Sequence, residues 1–298
     1  MIRVGLIGFG LAGQAFHAPM IRGVKGMELA CVLERKTNNA KTRYPEVRIA
    51  RTLDEMLSDK SINLVVVATP NDTHYSYTKA SLEAGRHVVV DKPLTPTMAE
   101  AEELVRLAAD RGLLISVYQD RRWDGAFLTV KKLIQAGALG KVAEYETRFD
   151  RFRLDAKPGA WREKPEFPAA GVLWDLGPHL IDQALVLFGT PETIWASAIR
   201  QRSTSQVDDS FDVHMEYPHV QAALRARIIA FAPGPHLLIH GTEDDIVPVQ
   251  MSRDYVKQKQ QKHENVSLLE IPKAGHLDLI DPESQAWPLV QNAVAGLI

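Results

Sequence analysis

The run Gly8-Phe9-Gly10-Leu11-Ala12-Gly13 sets three glycines at the GxGxxG spacing, after the apolar residues 4–7 and before a segment, 14–21, that can continue as a helix. In that order the residue types carry a chemical reading. Gly8 permits a tight turn, Gly10 lets backbone amides reach a pyrophosphate, and Gly13 allows close packing of helix on strand. A pyrophosphate held there rests on the positive end of the helix dipole. Glu34 lies 21 residues beyond Gly13, at the end of a second apolar run, 28–33. An acid at that place holds a ribose diol, which favours NAD. Arg35 and Lys36 beside it can instead neutralise a 2′-phosphate, so NADP stays open, as does a reading of all three as solvated turn residues.

These residues need a frame, and the next elements supply it. Residues 63–68 (NLVVVA) and 87–90 are dense in β-branched side chains, the pattern of parallel strands covered on both faces. The first runs into Thr69-Pro70-Asn71-Asp72-Thr73-His74 and then a helix ending near Gly85; the second ends in Asp91-Lys92-Pro93. A helix over 97–111 stops at Gly112, and 113–118 reads as one more strand. Such βα alternation predicts an α/β fold with a Rossmann-type, doubly wound parallel sheet over residues 1–120. Ligands bind at the carboxyl ends of such strands, where the glycine loop, 69–74 and 91–93 all fall.

The chain has 298 residues, enough for about two domains, with 45% hydrophobic and 24% charged residues. A net charge of −2 favours neither nucleic acid nor an anionic membrane surface as partner. No apolar run is long enough to span a bilayer, and the N-terminus has no signal-peptide pattern. The single cysteine, Cys31, forbids an internal disulfide and fits a cytoplasmic protein.

Through residues 68–74 (ATPNDTH), 91–93 (DKP), 119–123 (QDRRW) and 171–183 (GVLWDLGPHLIDQ), the chain resembles the glucose-fructose oxidoreductase/inositol dehydrogenase/MocA family, nearest its inositol dehydrogenase-like, NAD(P)-dependent branch. The resemblance covers residues 1 to about 231. It implies cofactor contacts from Gly8, Phe9, Gly10, Leu11, Ala12, Gly13, Glu34, Arg35, Thr69, Pro70, Asn71, His74, Asp91 and Lys92. It also implies a catalytic group of Lys92, Asp175 and His179, a polyol, sugar or cyclitol alcohol as substrate, and hydride transfer as the reaction. Asp175 and His179 are four apart and share a helix face. His179, with a near-neutral pKa, suits general-base duty on a hydroxyl, Lys92 can favour the alkoxide, and Asp175 can orient a second hydroxyl or the imidazole. Singly, each residue has an ordinary alternative: a solvated strand end, a helix cap, a core histidine. Two departures from the family pattern stand out, Pro168-Ala169-Ala170-Gly171 where relatives carry more glycine, and Asp120 where asparagine is common.

Residues 121–235 read as the start of a second, α+β substrate domain: a strand over 142–152, a helix over 172–188, a strand over 193–202, and a hairpin across Pro218-His219. From 236 the pattern changes. Residues 240–248 (HGTEDDIVP) and Gly275-His276 resemble the acid and histidine turns at the C-terminal end of an α/β-hydrolase, with Asp244 as the acid and His276 as the base. No GxSxG nucleophile occurs, so acyl transfer lacks its attacking group. The expected organisation is a Rossmann domain (1–120), a truncated substrate domain (121–235) and a hydrolase-like tail (236–298), a chimera whose family dimer sheet is incomplete. Homo-oligomerisation stays open. On this reading 237–240 replaces a family strand, and 266–271 has no evident partner. Three functions follow: an NAD(P)-dependent dehydrogenase, a dinucleotide-binding protein without turnover, and, least supported, a serine hydrolase.

Overall fold

The computed structural model describes residues 1–157, 159–230, 237–241, 250, 252–254, 256–257, 267–275, 279 and 283–295. The chain divides into two compact units, one of residues 1–69, 80–89 and 233–298, the other of 70–79 and 90–232.

β1 (Ile2–Ile7), β2 (Met27–Leu33), β3 (Arg48–Ala50), β4 (Leu64–Val67), β5 (His87–Asp91) and β6 (Ile115–Tyr118) form a six-stranded sheet ordered β3-β2-β1-β4-β5-β6. β1 pairs parallel with both β2 and β4, and β2 pairs parallel with β3. The order reverses direction at β1, the feature that makes the sheet doubly wound. Val4, Leu6, Leu29, Val32 and Val66 are buried in one cluster, as expected of strands covered on both faces. β3 has no counterpart in the sequence pattern, because three residues are too few to show a period.

The chain around these strands is helical: α1 (Ala18–Gly23), α2 (Asn39–Arg43), α3 (Leu53–Leu57), α4 (His74–Glu83), α5 (Met98–Asp110) and α6 (Gly125–Gln135). α5 begins with a capping box in which Thr97 and Glu100 satisfy each other's backbone amides. The single helix expected over 14–21 differs: Gly13–His17 is a wide π turn, and α1 starts only at Ala18. Pro19, with no N–H, cannot bond the carbonyl four residues back, and the Ala18 amide reaches Gly13 instead.

In the second unit, β7 (Glu144–Arg148), β8 (Thr193–Ile199), β9 (Ser210–Glu216) and β10 (Gln221–Arg227) make a sheet ordered β7-β10-β9-β8. β9 and β10 form the expected antiparallel hairpin, whereas β7 pairs parallel with β10. One face of this sheet packs on α7 (Val172–Phe188): Leu176, Leu180 and Ala184 meet Phe211, Val213, Met215 and Leu224. At about 1.5–3 kcal/mol for each fully buried large side chain, this stripe is what anchors α7. The Asp175–His179 stripe is next to it on the same helix.

The tail departs from expectation at one point. β11 (Leu237–Gly241) and β12 (Ser267–Ile271) pair with each other, parallel, in a separate two-stranded sheet, so the strand expected to lack a partner has one. Both are short apolar runs, and mutual pairing satisfies backbone groups that would otherwise be left open. α8 (Trp287–Ala295) follows. Asp244 and His276 lie outside the described residues. Among the described residues no helix is long and apolar enough to cross a membrane.

Candidate active site

The glycine loop leaves β1 with Gly8 at φ +95°, where a Cβ would stand 2.7 Å from the Ala68 carbonyl oxygen and 3.0 Å from Thr69 Cγ2. A Cβ on Gly13 would approach the Gly8 carbonyl to 2.4 Å, so the turn closes only with hydrogen at both positions. A Cβ on Gly10 would meet nothing within 4 Å, which leaves that side of the loop open. Gln14 braces the loop, its side-chain amide donating to the Phe9 carbonyl at 2.7 Å and its backbone amide to Gly10 at 2.9 Å. Phe9 is buried edge-on against Tyr44, while Leu11 is exposed. A backbone stripped of side chains at an open turn before a helix fits the pyrophosphate of a dinucleotide.

Glu34 follows β2 as expected, but its carboxylate points into the fold. It is 5% exposed. Oε1 accepts from Thr37 Oγ1 at 2.5 Å and from the Asn39 amide at 3.1 Å, and Oε2 accepts from the Ala40 amide at 2.9 Å. It thereby caps α2. Arg35 and Lys36 are exposed.

In the second unit Lys92 directly follows β5, and its amide donates to Asp91 Oδ1 at 2.8 Å. The Lys92–Pro93 peptide is cis, and the Pro93 carbonyl meets His74 Nδ1 at 2.7 Å. Pro70 precedes the turn that carries Asn71, and Asn71 Nδ2 donates to the Ala169 carbonyl at 3.0 Å. Ala169 sits at φ +56°, a left-handed backbone conformation that favours glycine.

α7 carries the remaining groups. Asp208 supplies its cap from afar, accepting from the Leu173 amide at 2.7 Å through Oδ2 and from the Val172 amide at 2.9 Å through its carbonyl. Gly171, at φ +93°, makes room for it: a Cβ there would lie 2.0 Å from Asp208 Oδ1. Lys92 Nζ donates to the Asp175 backbone carbonyl and stands 3.4 Å from Asp175 Oδ1. Arg162 Nε is 3.1 Å from the same oxygen, and Arg151 Nη1 is 3.4 Å from Oδ2. Asp175 is therefore shared by three cations. One turn on, His179 Nδ1 is buried without a hydrogen-bond partner, 3.6 Å from Asp120 Oδ1. Farther along the helix, Arg122 clamps Asp182 with bonds of 2.7 and 2.6 Å, and Gln183 Nε2 donates to the Arg121 carbonyl at 2.9 Å. These bonds tie α7 to the 119–123 run.

The structure thus brings Lys92, Asp175 and His179 together in one unit, while the glycine loop and Glu34 belong to the other. It adds Arg151, Arg162 and Asp120, which the spacing of residues did not single out for these roles. The carboxyl within 4 Å of the imidazole is Asp120, while Asp175 acts on it through its charge.

Electrostatics revise the expectation of a near-neutral His179. Burial, then the Lys92 and Arg121 charges, push its pKa down to about 3. Burial lowers Lys92 as well, against the pull of Asp175. Burial alone would raise Asp175, but Lys92, Arg162 and Arg151 hold it below the usual carboxylate range. Asp120 is raised, chiefly by burial.

A stability prediction follows from His179. Between about pH 6.5 and pH 3 the unfolded imidazole binds a proton that the folded one refuses, so stability drops as pH falls through 6.5. The expected loss between pH 7 and 5 is about 2 kcal/mol. Urea unfolding of the native protein and of His179→Asn at both pH values checks this. The variant should lose that much less on acidification, and parallel losses would refute the assignment.

Comparison with known proteins agrees with this architecture. Residues 2–119 match the oxidoreductase family with an NAD-binding Rossmann fold, and residues 127–247 match the GFO/IDH/MocA C-terminal domain. The chain is 42% identical over 246 residues to the uncharacterized oxidoreductase YdgJ of Escherichia coli, covering 83% of this chain and 70% of that protein. It is 39% identical over 246 residues to scyllo-inositol 2-dehydrogenase (NADP(+)) IolW of Bacillus subtilis, covering 83% and 68%. The solved structure of yvaA from Bacillus subtilis superposes with a TM-score of 0.75 at 40% identity, over 78% of this chain and 66% of that one. The chain therefore spans about two thirds of the length of these relatives. It belongs to the Gfo/Idh/MocA oxidoreductase family, with an NAD(P)-binding Rossmann fold.

Proposed function

We propose that the chain is an NAD(P)-dependent dehydrogenase that moves hydride between the nicotinamide and a secondary alcohol of a polyol, sugar or inositol. The observation that carries this reading is the buried Lys92 ammonium on a charge-compensated Asp175, with the neutral His179 imidazole one helical turn on. A bound nicotinamide supplies the hydride acceptor. His179, uncharged at working pH, receives the hydroxyl proton as hydride leaves and, with its pKa at about 3, passes it on to solvent rather than keeping it. Lys92, with Arg151 and Arg162 behind it, surrounds one carboxylate with three positive charges. That excess of positive charge favours the alkoxide as hydride leaves. Asp175 holds the Lys92 ammonium in place. The glycine loop, Glu34 or Arg35, Thr69, Pro70, Asn71, His74 and Asp91 are the proposed cofactor contacts.

IolW, by its name, acts on scyllo-inositol; inositols and related polyols are accordingly the first substrates to try. No step is assigned to residues 248–298, which lie beyond the match to the family's C-terminal domain. The test is calorimetric titration of purified protein with NAD(H) and NADP(H), followed by a 340 nm assay over inositols, sugars and linear polyols. Binding of a nucleotide and its reduction by at least one alcohol are expected; failure of both nucleotides to bind would sink the proposal.

A further inference from the structure

We propose that Asp120 is a proton relay for alcohol oxidation: it accepts the Nδ1 proton of His179 as Nε2 receives the hydroxyl proton, and passes it to water. The inference rests on the dehydrogenase reading above and deepens it by giving the hydroxyl proton a route out of the site.

Three observations carry it. The first is a buried nitrogen left unpaired. His179 Nδ1 has no hydrogen-bond partner, and Asp120 Oδ1 stands 3.6 Å from it. Buried polar atoms are normally paired, so an orphaned one marks either stored strain or a function. The gap exceeds a hydrogen bond of about 2.7–3.2 Å, and bonds between reacting groups commonly tighten only when substrate is in place.

The second is that the two groups are held side by side. Asp120 begins the short turn that follows β6. Arg122 of that turn clamps Asp182, and the Arg121 carbonyl accepts from Gln183. Asp182 and Gln183 lie three and four residues beyond His179, on the same face of α7, so the turn is fastened to the helix beside the imidazole. The His179 side chain is 9% exposed and that of Asp120 is 32% exposed, so the pair leads from the buried site toward water.

The third is the order of basicity that the surrounding charges impose. Burial, Lys92 and Arg121 oppose a second proton on His179 and outweigh Asp175 and Asp91, which favour it. Asp120 faces Arg121, Asp124 and Asp91, and burial raises it above the ordinary aspartate range. Tyr118, pushed up to about 12 by burial and by the Asp120 and Asp91 charges, stays a neutral phenol. With His179 at about 3, the carboxylate is the better base of the two, the reverse of the usual order. A proton therefore moves downhill from the imidazole to Asp120.

As the alcohol C–H bond breaks and its hydride leaves for the nicotinamide, the hydroxyl proton passes to Nε2, the Nδ1 proton passes to the Asp120 carboxylate, and the C=O bond forms. Asp120 then gives its proton to water. The imidazole, left protonated on Nε2, returns to the Nδ1–H tautomer by exchange with solvent before the next turnover. No buried imidazolium has to persist.

Two measurements test the relay. Imidazole ¹⁵N NMR of the full chain at about pH 7, which needs neither substrate nor turnover, should place the His179 proton on Nδ1. Alcohol oxidation is then followed from about pH 4 to about pH 8 for the parent, Asp120→Asn and Asp120→Ala, with circular dichroism confirming that each is folded. Parent kcat should fall on acidification, as Asp120 takes up a proton, with a midpoint above the ordinary aspartate value. Asp120→Asn should lose at least about tenfold in kcat at neutral pH, together with that acid limb. Formate, a carboxylate small enough for the space left in Asp120→Ala, should restore part of the rate. A His179 proton on Nε2, a flat parent profile, or an asparagine variant within about threefold of the parent with its limb unchanged would overturn the relay and leave the dehydrogenase intact. A parent that oxidises no alcohol would overturn both.

Discussion

Replacing Lys92 with methionine is expected to lower kcat by about 10²–10³-fold, the usual consequence of deleting one donor that stabilises a developing oxyanion. The side chain is 11% exposed, and methionine keeps most of its buried stem. What disappears is the ammonium. Asp175 then retains Arg162 at 3.1 Å and Arg151 at 3.4 Å, so its carboxylate is not left uncompensated and the fold should survive. A stopped assay for kcat, paired with circular dichroism and nucleotide titration, separates chemistry from folding. A folded, nucleotide-binding variant with kcat within threefold of the parent would remove Lys92 from the reaction. The arginine variant keeps charge but not the compact point charge, and should recover only part of the rate.

The largest stability effect is expected at Asp209→Ala. Arg202 and Asp209 form an ion pair at 3.0 Å with side chains 3% and 1% exposed. Asp209 also accepts from the amides of Gln201 at 2.6 Å and Arg202 at 3.0 Å. Burial alone would raise its pKa, but those bonds and the Arg202 charge hold it low. Arg202 goes on to bond Glu163 Oε2 at 2.8 Å and the Asp155 carbonyl at 3.1 Å. Removing the carboxylate takes one of three acceptors from a buried guanidinium and leaves the Gln201 and Arg202 amides unbonded, a change that costs about 3–5 kcal/mol. Because Glu163 adjoins Arg162, the loss should also loosen the segment that delivers Arg162 to Asp175. Chemical denaturation reads the first effect, and a fall in kcat at temperatures where the variant is still folded reads the second. A destabilisation under about 1 kcal/mol would show the pair to be replaceable.

How much of this is legible in the sequence follows the range of the forces involved. The glycine loop can be read because the need for Gly8 and Gly13 is a local steric fact, expressed by neighbours a few residues away. The strands over 64–67 and 87–91 can be read because burial on both faces writes itself as an unbroken β-branched run. The caps of α5 are equally local. Lys92, Asp175 and His179 are reachable only through the resemblance of 91–93 and 171–183 to the family's motifs, since each taken singly has an ordinary reading.

Other features depend on groups far apart in sequence. The position of Glu34 is plain, but the direction of its carboxylate is decided by amides at 39 and 40 that only the folded turn presents to it. Asp120 comes within 3.6 Å of the imidazole, and Arg151 and Arg162 crowd Asp175 from segments with no motif to announce them. The depressed pKa of His179 arises from the same assembly, since burial and a neighbouring ammonium exist only once α7 is packed. The partnership of β11 with β12 is likewise a matter of which open edges meet.

By itself, then, the amino-acid sequence determined the Rossmann sheet and the cofactor loop, because each is imposed by contacts within one or two elements, while the proposed reacting side chains followed from the family resemblance. The tertiary structure alone decided which charges surround those side chains and which oxygen faces which donor. Charge acts through space over several ångströms and is set by burial, and neither quantity is defined until the chain has folded.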